Sequence, residues 1–419
     1  MAQKNLLTDS GKGHRNPMHS AYSLLAQNPD TAIVFGEEAR NALAKHLSGL
    51  ECTAAAPLFV VGGGRSSWTR SGAEALMDTI ASLDGIPVVP FLGVPAEPDI
   101  EVVRSMVSQM KTCAPKAVVA IGGGSVMDAA KAAYLSYQTE LDIRELFGAG
   151  LCAKRFPGRH FERVVCVPTT SGTGSEATPY SNIIDRPGGV KRLVMDNEIV
   201  AEHSFVIPRL TWTAPESLTA ITGLDAFVHA VESILNFRAA SVHPEATAWG
   251  LAAVRLIRQA LPIALGKAPG FVALARAELA MASTLAGMCI KVCPTSLPHL
   301  CSFSVCGHAA HGAAVASLLP NFWRWYLAAS PECAERTRLL APLLGGTEPL
   351  EIVRATAEFI ETCGISTHPG RLTGLPVSFI DQLAKDAAQN PMKLESAPRP
   401  LTAAACQAAF HEALDGSWD

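Results

Sequence analysis

The stretch "AIGGGSVMDAAKA", residues 120–132, joins a β-branched apolar run to an alanine-rich segment of helical spacing through three consecutive glycines. A strand that turns straight into a helix is the repeating joint of a parallel α/β sheet. The glycines let the backbone approach a bulky anion. The helix N-terminus then offers free N–H groups and the positive end of its dipole. Gly122, Gly123, Gly124 and Ser125 suit the pyrophosphate of a dinucleotide, and Asp128 is a further cofactor-binding candidate. The wording is not the GxGxxG fingerprint, and a glycine-rich strand end can also be a plain tight turn.

The same texture extends to both sides. "PLFVVGGG" (57–64) and "IPVVPFLG" (86–93) are β-branched and end in glycine, and "SGAEALMDTIASL" and "DIEVVRSMVSQMKTC" carry apolar residues at helical spacing. A further strand, "RVVCVPTTSGTGSE" (163–176), runs into a loop of hydroxyls. Alternation of strand and helix predicts a parallel, Rossmann-like sheet covered on both faces. Ligands on such sheets bind at the carboxyl ends of the strands, where these glycines fall. In "VPTTSGTGSEATPY" (167–180), Thr169, Thr170, Ser171, Thr173 and Ser175 supply hydroxyls without bulk, which suits the nicotinamide side of a dinucleotide. The alternative is a solvated polar loop.

Beyond residue 206 the texture changes. "PESLTAITGLDAFVHAVESILN", "PEATAWGLAAVRLIRQALPIAL" and "GFVALARAELAMASTLAGMCI" are long, Ala/Leu-rich and periodic, with no alternating strand pattern. The expected organisation is a loose arm over 1–17, an α/β dinucleotide-binding domain over 18–205 and an all-helical domain over 206–419 that carries metal and substrate. Pro208 and Pro215 mark the joint.

The totals agree with two domains. The chain has 419 residues, 48% hydrophobic and 17% charged, more than a single core usually accommodates. A net charge of −4 leaves no basic footprint for nucleic acid or a membrane surface. "MAQKNLLTDSGKGHRNP" has no apolar h-region, so no signal peptide is expected. With no run approaching a membrane span, the expectation is a cytoplasmic protein. Eleven cysteines then read as reduced thiols. Cys289, Cys293, Cys301 and Cys306 cluster without a CxxC pair, which favours buried small hydrophobes over a zinc site.

One apolar run carries an unexpected polar pair. In "TGLDAFVHAVES" (222–233), Asp225 and His229 stand four residues apart, on one face of a helix. They could hold a divalent cation together, or form a buried Asp–His hydrogen bond. Further histidines follow: His299 in "TSLPHLCSF", His308, and His311 in "GHAAHGAAVASLLP". One carboxylate with two or three imidazoles is a ligand set for iron(II) or zinc.

With these motifs in order, the sequence resembles the iron-containing (group III) alcohol dehydrogenases, and more distantly glycerol dehydrogenase and dehydroquinate synthase. The resemblance rests on "GGGSVMDAAKA", "PTTSGTGSEATPYSNIID" and "TGLDAFVHAVES" with a histidine pair ending in "HGAAVASLLP". It runs from about Thr31 to the C-terminus. It implies the dehydroquinate synthase-like fold of a dinucleotide-binding α/β domain and an all-α domain. It also implies a homodimer, and a metal held by one Asp and three His. Asp225, His229 and His311 match that set. His299 is the natural third histidine, since "PHLCSFS" is similar to a family pattern, with His308 as its less favoured substitute. Lys191 lies where many members have a cofactor-contacting lysine.

Three departures qualify the likeness. The interval from His299 to His311 is shorter than the family's. Phe303 occupies a place that many members give to histidine or tyrosine, so no proton can pass through it. Where many members end a strand with an acid that favours NAD, this sequence reads "FVVGGGRSSWTRSG", with Gly63 and Gly64 followed by Arg65, Ser66 and Ser67. Loss of the carboxylate removes repulsion of a 2′-phosphate, and Arg and Ser can bind one, so NADPH use or dual specificity is expected. "GRSSWTRSGA" and "SLPHLCSFS" look more like members that reduce phosphonoacetaldehyde or similar short anionic aldehydes, phosphono- or sulfo-substituted. The implied activity is hydride transfer between NAD(P)H and a small aldehyde. The alternatives are a metal enzyme of the dehydroquinate synthase or glycerol dehydrogenase kind, and a metal-free member of the fold.

Overall fold

The computed structural model describes residues 17–63, 85–185, 190–305, 307–374, 376 and 378–414. The expected arm up to residue 16, the helix read at "SGAEALMDTIASL", Gly64, Arg65, Ser66, Ser67 and Cys306 lie outside the described residues.

The chain divides into two compact units. Ala26–Pro215 forms the α/β unit. Its main sheet has six strands: β1 (Ala32–Phe35), β2 (Leu58–Gly63), β3 (Val88–Val94), β4 (Ala117–Gly122), β6 (Val165–Pro168) and β9 (His203–Val206). They lie in the order β1-β9-β6-β4-β2-β3, and every pairing is parallel. The near-continuous apolar runs follow from burial on both faces. Along β2 and β4, Phe59, Val61, Val118 and Ala120 join one core, with Val103, Met106 and Met110 of a helix at Ile100–Cys113. Leu58, Val60, Val119 and Ile121 join the other, with Ala39, Leu43 and Leu47 of a helix at Glu38–Ser48. Alternate residues on a strand thus serve opposite layers.

β2 sits between β3 and β4, and the chain passes outward from β2 to β3, then returns to β4 on the other side. This reversal is a topological switch point, where open parallel sheets bind ligands. Gly63 and Gly122 end the two strands concerned. A smaller sheet pairs β5 (Gly148–Ala149), β8 (Val190–Met195) and β7 (Tyr180–Asp185). The antiparallel β7–β8 pair and β1 have no counterpart in the sequence reading: β1 has only four residues, and the polar residues of "YSNIID" and "VKRLVM" break both the apolar run and the strict alternation that mark a strand.

The second unit is helical throughout its described residues. Helix α1 (Pro17–Leu25) belongs to it together with the chain from Glu216 on. In chain order, the other helices that matter here lie at Glu38–Ser48 (α2), Ile100–Cys113 (α3) and Gly124–Thr139 (α4) in the sheet unit. In the helical unit they are Glu216–Leu235 (α5), Glu245–Ala264 (α6), Val272–Val292 (α7), Leu297–Ser302 (α8) and His311–Leu327 (α9). α5 packs against α6, α7 and α9, and α1 against α6 and α7. α5 and α7 are long and apolar enough to cross a membrane by length and composition, yet 83% and 78% of their apolar windows are buried in the protein, so they are core helices. Gly223 to Leu235 are all buried. A helix enclosed on every side carries no polar residue without a partner for it, which gives Asp225, His229 and Glu232 their significance.

Candidate metal centre and cofactor loops

Asp225, His229 and Glu232 lie on one face of α5. His299 is on α8 and His311 opens α9. Asp225 Oδ1 is 3.5 Å from His311 Nε2, 3.6 Å from His299 Nε2 and 3.9 Å from His229 Nε2. The His229 and His299 rings stack at 4.5 Å, and His299 meets His311 edge-on at 5.4 Å. Asp225, His299 and His311 offer ligand atoms within 4.8 Å of one another. These separations exceed hydrogen-bond lengths. They match the spacing of about 3.4 Å between N and O ligands placed tetrahedrally about 2.1 Å from one cation. Asp225 Oδ1 and His299 Nε2 are buried and make no hydrogen bond, so the donor set fits a divalent cation. His308 is exposed, with its ring against Phe379, and takes no part in the cluster. Phe303 caps the C-terminal end of α8.

The approach of α9 to α5 depends on Gly312. A Cβ there would lie 2.0 Å from the Ile221 carbonyl oxygen and 3.1 Å from Asp225 Cβ. The glycine after His311 therefore lets that imidazole reach Asp225.

The outer faces of two rings are held. Ser302 Oγ donates to the His299 carbonyl (2.7 Å) and stands 3.2 Å from His311 Nδ1, where it is left as the acceptor. Glu232 contacts His299 Nδ1. Burial pushes the Asp225 carboxyl up, but His229, His311 and His299 outweigh it and hold the group well below the usual carboxylate range. For Glu232, burial is likewise outweighed by His299, Ser296 and Lys393, and its carboxyl is lowered. Burial lowers the His299 imidazole, yet Glu232 and Asp225 together raise it. The sequence reading passed over Glu232, although it lies three residues beyond His229 in "DAFVHAVE", on the face that carries Asp225 and His229.

In the α/β unit the two loops lie side by side, since Gly122 pairs with Pro168 and Thr169 N donates to Gly122 O (3.0 Å). A Cβ on Gly123 would meet Thr170 Oγ1 at 3.0 Å, and one on Gly124 would meet Thr173 Cγ2 at 2.5 Å. The glycines thus admit the hydroxyl loop as a neighbour. α4 starts at Gly124 with no side-chain cap. Thr169 Oγ1 is buried without a hydrogen-bond partner, and Ser171, two residues on, is also buried.

Other residues of the loops turn inward. Ser175 Oγ donates to Asp128 Oδ1 (2.7 Å), and Asn182 N donates to Asp128 Oδ2 (2.9 Å). Lys131 Nζ donates to Ser175 O, Ser175 Oγ (3.0 Å) and Thr178 O (2.9 Å). Asp128 and Ser175 thereby hold the loop in shape, and Lys131 was not singled out from sequence. Ser125 Oγ accepts from Glu97 N (3.1 Å), and Lys191 on β8 is 3.6 Å from Glu97 Oε1.

Residues 30–208 match the family described as iron-containing alcohol dehydrogenase, and residues 219–414 match that family's C-terminal region. The chain belongs to the iron-containing alcohol dehydrogenase family. It is 31% identical over 358 residues to long-chain-alcohol dehydrogenase 1 of Geobacillus thermodenitrificans, covering 82% of this chain and 87% of the relative. It is 30% identical over 338 residues to the 1-propanol dehydrogenase of Salmonella typhimurium, covering 77% and 85%. An alcohol dehydrogenase structure from Oenococcus oeni superposes with a TM-score of 0.79 at 25% identity, covering 91% of this chain and 98% of that one. The α/β sheet followed by a helical region is the family's fold, and membership implies an oxidoreductase that uses a nicotinamide and a metal.

Proposed function

We propose that the chain is a metal-dependent, NAD(P)-linked alcohol dehydrogenase that works as a reductase of small aldehydes. Asp225, His229, His299 and His311 would hold one divalent metal, Fe(II) or Zn(II). The observation that carries this is the buried meeting of Asp225 Oδ1 with three imidazole Nε2 atoms, at distances too long for hydrogen bonds. When bound, the metal supplies Lewis-acid polarisation of a carbonyl oxygen and the nicotinamide supplies the hydride.

The chain's own part is alignment and electrostatics. Gly122, Gly123, Gly124 and Ser125 present the uncapped start of α4 to a pyrophosphate. Thr169, Thr170, Ser171 and Thr173 offer hydroxyls beside it. Asp128, Ser175 and Lys131 keep that loop's backbone in place. Lys191, held by Glu97, is a further cofactor contact in this reading. The preference for NADPH rests on sequence: Gly63 ends β2, and Gly64, Arg65 and Ser66 follow where an acid would repel a 2′-phosphate.

The substrate reading is a short anionic aldehyde, phosphono- or sulfo-substituted, supported by the wording of "GRSSWTRSGA" and "SLPHLCSFS". A second reading is a plain alkanol, favoured by the names of the two relatives at 30% and 31% identity. Oxidation of NADPH and NADH against a panel of propanal, long-chain aldehydes, phosphonoacetaldehyde and sulfoacetaldehyde, with added iron or zinc, separates them. Highest kcat/KM with an anionic aldehyde and NADPH is expected. Preference for propanal with NADH would replace that reading with the second.

A further inference from the structure

We infer that Glu232 is a positioning residue that fixes which nitrogen His299 presents, and thereby sets the affinity of the metal site. The inference rests on the Asp225–His229–His299–His311 reading and goes beyond it, to a residue outside the ligand set.

Glu232 is on α5, one helical turn past His229 and two past Asp225, so all three share a face. Its side chain is fully buried. Oε2 contacts His299 Nδ1, while Oε1 accepts from Ser296 N (2.8 Å) and Ser296 Oγ (2.9 Å). Tyr326 Oη stands 3.2 Å from Ser296 Oγ, whose own proton goes to Glu232, so Tyr326 is the donor there. Lys393 Nζ donates to Thr295 Oγ1 (3.0 Å), one residue from Ser296. Every donor around the carboxylate therefore favours its ionised, acceptor-only form.

An acceptor at Nδ1 requires that nitrogen to carry the proton. Nε2, the nitrogen facing Asp225 at 3.6 Å, is then left with its lone pair for a cation. A glutamine at 232 keeps the volume but can turn its amide N–H toward Nδ1. That selects the opposite tautomer, with a proton on Nε2 where the metal would bind.

The test uses the full-length protein stripped of metal and titrated with Co(II) against a competing chelator. Visible absorption and dissociation constant are read for wild type, Glu232→Gln, Ser296→Ala and His308→Ala. Expected are one Co(II) per wild-type chain, a 10- to 100-fold weaker constant for Glu232→Gln, and an altered visible band in what still binds. Ser296→Ala, which removes one bond to the carboxylate, should weaken binding in the same direction by a smaller factor, and His308→Ala should match wild type. Ser296→Ala decides the matter if Glu232→Gln does not fold. Wild-type affinity and spectrum in both the 232 and 296 variants overturn the role of Glu232 and leave the metal reading standing. No Co(II) uptake by wild type overturns the metal reading and this inference with it.

Discussion

The helical unit and the α/β unit each bury a cluster of charged and polar groups, and the two clusters are finished differently. Around Lys131, the ammonium, Asp128, Ser175, Thr178 and Asn182 pair with one another. Around Asp225, Oδ1 and His299 Nε2 face each other beyond bonding distance and have no partner. A closed network is a scaffold, since its charged groups, Lys131 Nζ and the Asp128 carboxylate, find their hydrogen bonds within the chain. An open one retains a desolvation cost of about 1–3 kcal/mol per group, which is recovered only when something binds.

The sharpest way to break that comparison is to remove a member of the open cluster. His229→Ala should lower turnover by about a thousandfold or more, equivalent to about 4 kcal/mol of barrier. The denaturant midpoint of the metal-free protein should fall far less than for a buried charge pair. Steady-state rates and urea curves on the same preparation check both. Full activity would refute the site.

The reverse pattern is expected of the closed cluster. Lys131→Met strips the buried acceptors Ser175 O, Ser175 Oγ and Thr178 O of their donor, which should cost about 3 kcal/mol or more of stability while leaving metal content at one per chain. Equilibrium unfolding and elemental analysis would reveal a scaffold that was not one. Between these extremes lies Gly312→Ala. Its Cβ would meet a backbone carbonyl at 2.0 Å, with no flexible side chain to yield. A loss of about 1–3 kcal/mol is expected, accompanied by weaker Zn(II) binding in a chelator competition, because His311 is carried away from Asp225.

The smallest effect concerns a group outside both clusters. Burial raises the Glu278 carboxyl to about 7. A raised carboxyl pKa means that the folded chain holds its proton to higher pH than the unfolded chain, so stability is lost as pH rises through the window from the usual carboxylate range to about 7. Glu278→Gln should therefore stabilise by about 1 kcal/mol at pH 8, allowing for solvent screening of a partly exposed group. The gain should fade as pH falls through that window. Thermal midpoints across pH 4.5–8 check the trend.

Much of the fold and of the candidate metal centre is legible in the amino-acid sequence, for physical reasons that differ between the units. The sheet announces itself because "LFVVGG" and "AVVAIG" are buried on both faces and end in glycines that only close approach requires. The histidines are visible as residue types, yet spacing alone leaves His299 and His308 as alternatives, since the fold of the turn between α8 and α9 decides which ring reaches Asp225. Lys131 escapes notice because a lysine in "DAAKAAY" looks like a solvated helix position, and nothing local shows that α4 is enclosed. Glu232 escapes for the complementary reason. Its partners Ser296 and His299 are more than sixty residues away in the chain, and only the packing of α8 against α5 brings them together.

The central claim is that the Asp225 cluster is a cation site assembled from α5, α8 and α9. The most direct measurement is equilibrium dialysis of the metal-stripped protein against Zn(II), on wild type, Asp225→Asn and His308→Ala side by side. One tightly held zinc per chain in wild type and His308→Ala, with none in Asp225→Asn, is the predicted result. Undiminished binding in Asp225→Asn, or loss of zinc in His308→Ala, would contradict it.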